Sequence, residues 1–137
     1  MIYPEFRRDP LHNVWVVFAP ERQRRPQDFA AAVLQTGTLD PFAEGNERLT
    51  PPEVYALRQE KTKPNEPGWR IRIVPNRYPA VRIEGPFEAH PEGLYDRLSG
   101  IGAHEVVIET PDSKLALEEL PVASVAEVLA SYRERIL

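Results

Sequence analysis

Cysteine is absent from the 137 residues, which excludes disulfides and every thiolate metal site. A reducing compartment fits that absence, and chance fits it equally. Only three histidines occur, His12, His90 and His104, and none stands at a two-histidine spacing suited to a metal. No serine sits in a nucleophile elbow and no glycine-rich phosphate loop occurs, so two common sequence signatures of catalysis and phosphate binding are missing. A basic excess is also lacking: the net charge is -4 and the isoelectric point is near 5.4, which argues against a general nucleic-acid partner. No apolar run approaches the roughly 20 residues that span a bilayer. The opening "MIYPEFRRDP" has no signal-peptide core, and the expectation is a cytoplasmic protein with no membrane partner.

What is present is a globular composition, 42% hydrophobic and 28% charged, in a chain long enough for one domain spanning residues 1–137. The 15 prolines are about twice average usage and predict rigid loops and short strands. "EFRRDPLHNVWVVFAP" (5–20) reads as a hairpin, with Asp9-Pro10 and Asn13 for the turn and a β-branched and aromatic strand after it. "ERQRRPQDF" (21–29) is a loop carrying three arginines. Residues 30–65 are weakly patterned apart from a short strand at "EVYALR" (53–58). "WRIRIVP" (69–75) alternates, with Ile71, Ile73 and Pro75 pointing one way and Arg70, Arg72 and Val74 the other. "AVRIEG" (80–85) starts another strand, a Gly- and Pro-bearing loop follows, and "HEVVIET" (104–110) is a further strand. The last segment, 120–137, switches to helical period with Val122, Val125, Val128, Leu129, Tyr132 and Ile136 on one face, and Pro121 suits its start. Strands first and an amphipathic helix last predict an α+β fold, the helix packed on one face of an antiparallel sheet. A helix ending on Ile136-Leu137 reads as if more protein should follow.

Arg22 and Arg25 lie three apart directly after a strand, a placement that lets guanidinium groups grip a phosphate. On spacing alone a solvated basic loop is the plainer account of them. Asn76-Arg77 closes the alternating strand; the amide there could read a ligand edge or simply form a turn. The acidic pairs, Glu118-Glu119 and Glu109 with Asp112, read as solvated edges.

Several segments together resemble the N-terminal half of galactose-1-phosphate uridylyltransferases, a branch of the histidine-triad (HIT-like) fold. They are "RRDPLHNVWVVFAPERQRRPQDF" (7–29), "DPFAEGNERLTPPEV" (40–54), "WRIRIVPNRYPAV" (69–81), "GAHEVVIETPDSKLALEEL" (102–120) and "YRERIL" (132–137). The resemblance implies a two-step transfer, in which a histidine nucleophile takes the uridylyl group from UDP-glucose and passes it to galactose 1-phosphate. It also implies that Arg22, Arg25 and Asn76 help bind the nucleotide sugar, with Arg77 at a position where the family varies. A homodimer is the implied assembly.

Two departures accompany the match. The family's His-Pro-His nucleophile follows the "YRERIL"-type helix, and the sequence ends at Leu137 without that triplet. By itself this chain is therefore expected to form no covalent intermediate, which leaves a catalytically inactive nucleotide-sugar-binding or structural module as the alternative, or a related transferase acting on an ADP-sugar. Many members also hold a structural zinc, through two cysteines of a "CPFC" turn, a histidine of a "PDH"-type turn and one further histidine. Here the first three positions read Asp40, Ala43 and Ser113. Alanine has no side-chain ligand atom, and the expectation is that this site is lost and no cofactor is carried.

Overall fold

The computed structural model describes residues 3–24 and 39–137. The β-branched and aromatic runs form strands. β1 (Glu5–Asp9) and β2 (Val14–Phe18) make the expected hairpin, paired from Glu5 opposite Phe18 to Asp9 opposite Val14. Asn13 closes the turn with φ 55°, the left-handed region that Asn tolerates better than most residues. Asp9 accepts the Leu11 N–H at 2.8 Å and meets His12 Nδ1 at 2.7 Å. Further along come β3 (Tyr55–Arg58), β4 (Trp69–Pro75), β5 (Ala89–Glu92), β6 (Tyr95–Ser99), β7 (Glu105–Ile108) and the helix α1 (Val122–Ile136).

These elements form two sheets instead of one. The described residues fall into two compact units, one built from residues 3–24 with Asn76–Glu105, the other from residues 39–75 with Val106–Leu137. The first unit holds a four-stranded sheet in the order β2-β1-β6-β5, antiparallel at each pairing. The second holds a three-stranded sheet, β3-β4-β7, and the helix. The fold is thus α+β, as the pattern of strands and helix predicts.

In the second unit β4 occupies the residues that alternation marks out, but its faces differ from the simple reading. Ile71 and Ile73 pack with Val128 of α1, flanked by Tyr55, Leu57, Val107 and Tyr132, so the helix does cover one face of the sheet. Trp69 should share that face, yet it packs with Val74 and Ile108. The cause is a slip in pairing: Leu57 lies opposite Ile71 but Arg58 lies opposite Trp69, skipping Arg70. One extra residue of this kind flips every side chain beyond it to the other face.

Arg72 lies on the face that alternation sets opposite Ile71 and Ile73, and there it is only 1% exposed. Its Nε donates to Glu53 at 3.0 Å, its Nη1 to Thr50 Oγ1 at 2.8 Å, and its Nη2 to the Glu47 carbonyl at 3.4 Å. Arg58 grips the same Glu53 carboxylate, with Nη2 at 2.6 Å from Oε2 and Nε at 2.9 Å from Oε1. Burial pushes the Glu53 carboxyl up, but Arg58 and Arg72 outweigh it and hold the group below the usual carboxylate range.

The helix stripe is narrower than its sequence suggests. Val128 and Ser131 are buried, whereas Val122, Leu129 and Ile136 are more than half exposed. Tyr132 donates its hydroxyl to Glu109. In the first unit, "AVRIEG" contributes a single bridge, Arg82 to Ile101, and no strand. The loop expected after it contains the β5–β6 hairpin instead, turning at Gly93 with φ 63°. Pro91 is tolerated because β5 lies at the edge of its sheet. Among the described residues no helix is long and apolar enough to cross a membrane.

Candidate functional site

The candidate ligand residues lie in the first unit. After β2 the chain makes a tight 3-10 turn over Pro20–Arg24, in which Arg22 N–H donates to Ala19 carbonyl at 3.0 Å. That turn throws the Arg22 guanidinium towards a second segment, where Nη1 donates to the Tyr78 carbonyl at 3.2 Å. The neighbouring Glu21 pairs with Arg82, so the turn is anchored by charge on one side and by Arg22 on the other.

The second segment is "NRYPA" (76–80), which follows β4. Asn76 Oδ1 accepts the Tyr78 N–H at 2.8 Å, an Asx turn that needs an amide or carboxyl oxygen at this position. Asn76 N–H donates to the His104 carbonyl at 2.8 Å. Its Nδ2 lies 3.2 Å from His104 Nε2, and His104 Nδ1 accepts the Ala80 N–H at 2.8 Å. Arg22 and Asn76, 54 positions apart by their numbers, therefore hold the two ends of one residue: Arg22 takes the carbonyl of Tyr78 and Asn76 its N–H. Arg77 lies between them in sequence and is exposed. Arg25 lies outside the described residues.

Sequence reasoning passed over His104, which it took as a histidine without metal-binding company. Nothing local marks it, since its partners at 76 and 80 are remote in sequence and the bonds to Asn76 and Ala80 exist only in the folded chain. The same unit has a cavity of about 770 Å³, lined by Tyr3, Arg7, Phe18, Arg82, Glu84 and Arg97 among others. Of the candidate residues, Arg22, Asn76 and Arg77 do not line it. Among its lining residues Glu5 is held by Arg7 at 2.5 Å and by Arg97 at 2.5 Å.

The turn at residues 40–47 belongs to the second unit. Asp40 Oδ1 accepts the Phe42 N–H at 2.9 Å, and its carbonyl accepts Asn46 Nδ2 at 2.7 Å. Gly45, at φ 92°, gives its N–H to Glu47 Oε1 at 3.0 Å. The same Glu47 oxygen takes the Trp69 indole N–H at 2.8 Å, with the Glu47 residue only 5% exposed. Burial raises the Glu47 carboxyl, but the donors from Trp69 and Gly45 and the charge of Arg72 bring it below its ordinary value. A zinc ion does not fit this donor set: Asp40 is occupied by its own turn and Ala43 has nothing to offer.

No protein-family model matches the chain. An ADP-glucose phosphorylase from Arabidopsis thaliana is 32% identical over 139 residues, covering 97% of this chain and 38% of that protein. The crystal structure of ADP-glucose phosphorylase from Arabidopsis thaliana with bound ADP-glucose aligns with a TM-score of 0.53 at 29% identity, over 97% of this chain and 37% of the other. A uridylyltransferase structure aligns with a TM-score of 0.62 at 27% identity, over 95% and 33%. A GalT-like protein from Arabidopsis thaliana aligns at 0.51 and 27%, over 98% and 35%. The chain spans little more than a third of the length of these relatives. Matched over nearly all of its own length to phosphorylase and uridylyltransferase alike, the chain belongs to the galactose-1-phosphate uridylyltransferase family and carries its HIT-like α+β fold.

Proposed function

We propose that these residues form the nucleotide-sugar-binding part of a cytoplasmic, homodimeric nucleotidyltransferase that exchanges UDP-glucose and galactose 1-phosphate for glucose 1-phosphate and UDP-galactose. The observation that carries the reading is the bracketing of Tyr78 by Arg22 and Asn76, which sets a cation and an amide on one short rigid segment. Fixed donors of this kind recognise phosphate and sugar oxygens at little entropic cost. The exposed Arg77 adjoins Tyr78 in sequence and adds a cation beside that segment, and Arg25 is a ligand contact on the family resemblance alone. The chain holds no His-Pro-His triplet, so the reading gives it binding and orientation and leaves the nucleophile to other residues. It also gives it no zinc, the 40–47 turn being held by hydrogen bonds.

A second reading replaces uridine with adenosine. It is favoured by the 32% identity to an ADP-glucose phosphorylase. Calorimetric titration of the purified chain with UDP-glucose and with ADP-glucose in parallel tests both. The expected outcome is saturable heat with one of them and an affinity at least about ten-fold weaker in Arg22→Ala, a loss of about 1.4 kcal/mol. No heat from either at millimolar concentration, with Arg22→Ala indistinguishable from the parent, would sink the site. Binding without turnover in a mixture of nucleotide sugar and hexose 1-phosphate identifies an inactive binding module.

A further inference from the structure

The register of the four-stranded sheet sets like charges against each other. Arg7 of β1 lies directly opposite Arg97 of β6, and Arg97 lies opposite His90 of β5. Residues directly opposite share a face, and like charges so placed are destabilising unless something offsets them. The neighbouring row on that face reads Phe18, Glu5 and Ser99, with Glu5 opposite each of the other two. All six residues line the cavity of about 770 Å³, a size within the roughly 300–1,000 Å³ of small-molecule sites. Glu5, its side chain 13% exposed, offsets the two arginines. Arg7 reaches one carboxylate oxygen through Nε at 2.6 Å and Nη2 at 2.5 Å, and Arg97 Nε reaches the other at 2.5 Å. Arg97 Nη1 goes to Glu92 at 3.0 Å. Arg7 Nη1 and Arg97 Nη2 make no further bond among the described residues. Two guanidinium groups are thus fixed in place with donors to spare.

The charge of the lining decides what those donors suit. Among the described lining residues three arginines, Arg7, Arg82 and Arg97, stand against three glutamates, Glu5, Glu84 and Glu88. With His90 neutral the cavity carries no net charge. An anion would meet the carboxylates and a cation the guanidinium groups, and either would compete with pairs already made. A hydroxyl group donates and accepts at once, so a ligand rich in hydroxyls bonds both kinds of side chain and displaces neither. Tyr3, Pro4, Phe18, Pro20, Pro86 and Ile101 supply the apolar part of the lining. Phe18 remains 43% exposed, with the Arg7 guanidinium 4.8 Å from its ring centroid. Apolar rings beside paired donors and acceptors suit a pyranose, which has C–H faces and a hydroxyl edge.

We propose that this cavity binds a neutral saccharide of one or two pyranose units, with Arg7, Arg97 and Ser99 contacting hydroxyls and Phe18 contacting the ring. The inference stands apart from the nucleotide-sugar reading, since Arg22, Asn76 and Arg77 do not line the cavity.

Amide NMR of the parent chain with maltose tests it without any substitution. Maltose at millimolar concentration should give saturable shifts at the amides of Arg7, Phe18, His90, Ser99 and Gly100. Glucuronate and glucosamine, pyranoses carrying a negative and a positive charge, should bind at least about five-fold more weakly than maltose. Arg97→Lys keeps the charge but has no second guanidinium arm, and Phe18→Leu keeps an apolar side chain but has no ring. Each should weaken maltose binding by about five-fold, the worth of one hydrogen bond or one ring contact. No shift with maltose overturns the inference, and so do shifts centred on Tyr78 and Ala80. Glucuronate or glucosamine binding as tightly as maltose, or an unchanged maltose affinity in both folded variants, overturns it as well.

Discussion

Replacing Glu53 with glutamine should damage the second unit more than removing the buried arginine it serves. The Glu53 side chain is 6% exposed, that of Arg72 1% and that of Arg58 12%. Four guanidinium contacts converge on the Glu53 carboxylate, three from Arg58 at 2.6–2.9 Å and one from Arg72 at 3.0 Å. Glutamine keeps the shape but cancels the charge and turns an N–H2 against a guanidinium. Breaking a buried pair so that a cation is left behind costs about 3–5 kcal/mol. Arg72→Met differs in kind, because the buried cation itself leaves and Glu53 retains Arg58. What remains is the loss of donors to Thr50 Oγ1 and to the Glu47 carbonyl, about 1–2 kcal/mol together. Urea unfolding at pH 7 in a Trp15→Phe background, followed by Trp69 fluorescence, reads this unit alone. With a slope of about 1–3 kcal/mol per molar urea, Glu53→Gln should move the midpoint down by more than about 1 M. If Arg72→Met loses as much as Glu53→Gln, the asymmetry argument fails.

Acid should act on the same unit through a predictable window. Glu47 and Glu53 both sit below their ordinary value of 4.5 in the fold, so below that pH the unfolded chain binds more protons than the folded one. Their contribution is then fully present above about pH 4.5 and is lost as pH falls through the depressed native values; a melting temperature that rises on acidification from pH 5 to 3 would contradict this. Elemental analysis of the purified chain should find no stoichiometric zinc, and chelator should leave its melting curve unchanged. One equivalent of zinc would mean that the turn at 40–47 is held otherwise than by Asp40, Asn46 and Glu47.

How much of this was legible depended on whether a feature is local. β4 was readable to the residue because apolar and polar side chains alternate along it, and the first hairpin because Asp9, Pro10 and Asn13 are turn formers. The β5–β6 hairpin was not, since "AHPE" and "YDRLS" contain no β-branched residue. Its support comes from distant groups, β6 pairing with β1 and Arg97 bridging Glu5 and Glu92. The burial of Arg72 was not legible for the same reason: its carboxylate partner lies 19 positions earlier and meets it only in the folded chain. The candidate site divided likewise. Arg22 and Asn76 could be named one at a time, but their meeting on Tyr78 and the role of His104 are properties of the closed chain.

The nesting of the two units has a consequence for how the protein is made. The first unit is interrupted by the opening half of the second, and its sheet closes only when β6 reaches β1, Ser99 opposite Glu5. During synthesis the early hairpin, complete at Phe18, must therefore wait, its apolar strand β2 without a completed sheet, until about 80 further residues have emerged and Ser99 is available. The second unit waits longer still, for Val128 on the last helix to cover Ile71 and Ile73. Pairings this distant in sequence slow folding and prolong the exposure of unpaired strands. Neither unit can be expressed as a single uninterrupted segment: trimming from the front cuts into the first unit, and trimming from the back cuts into the second.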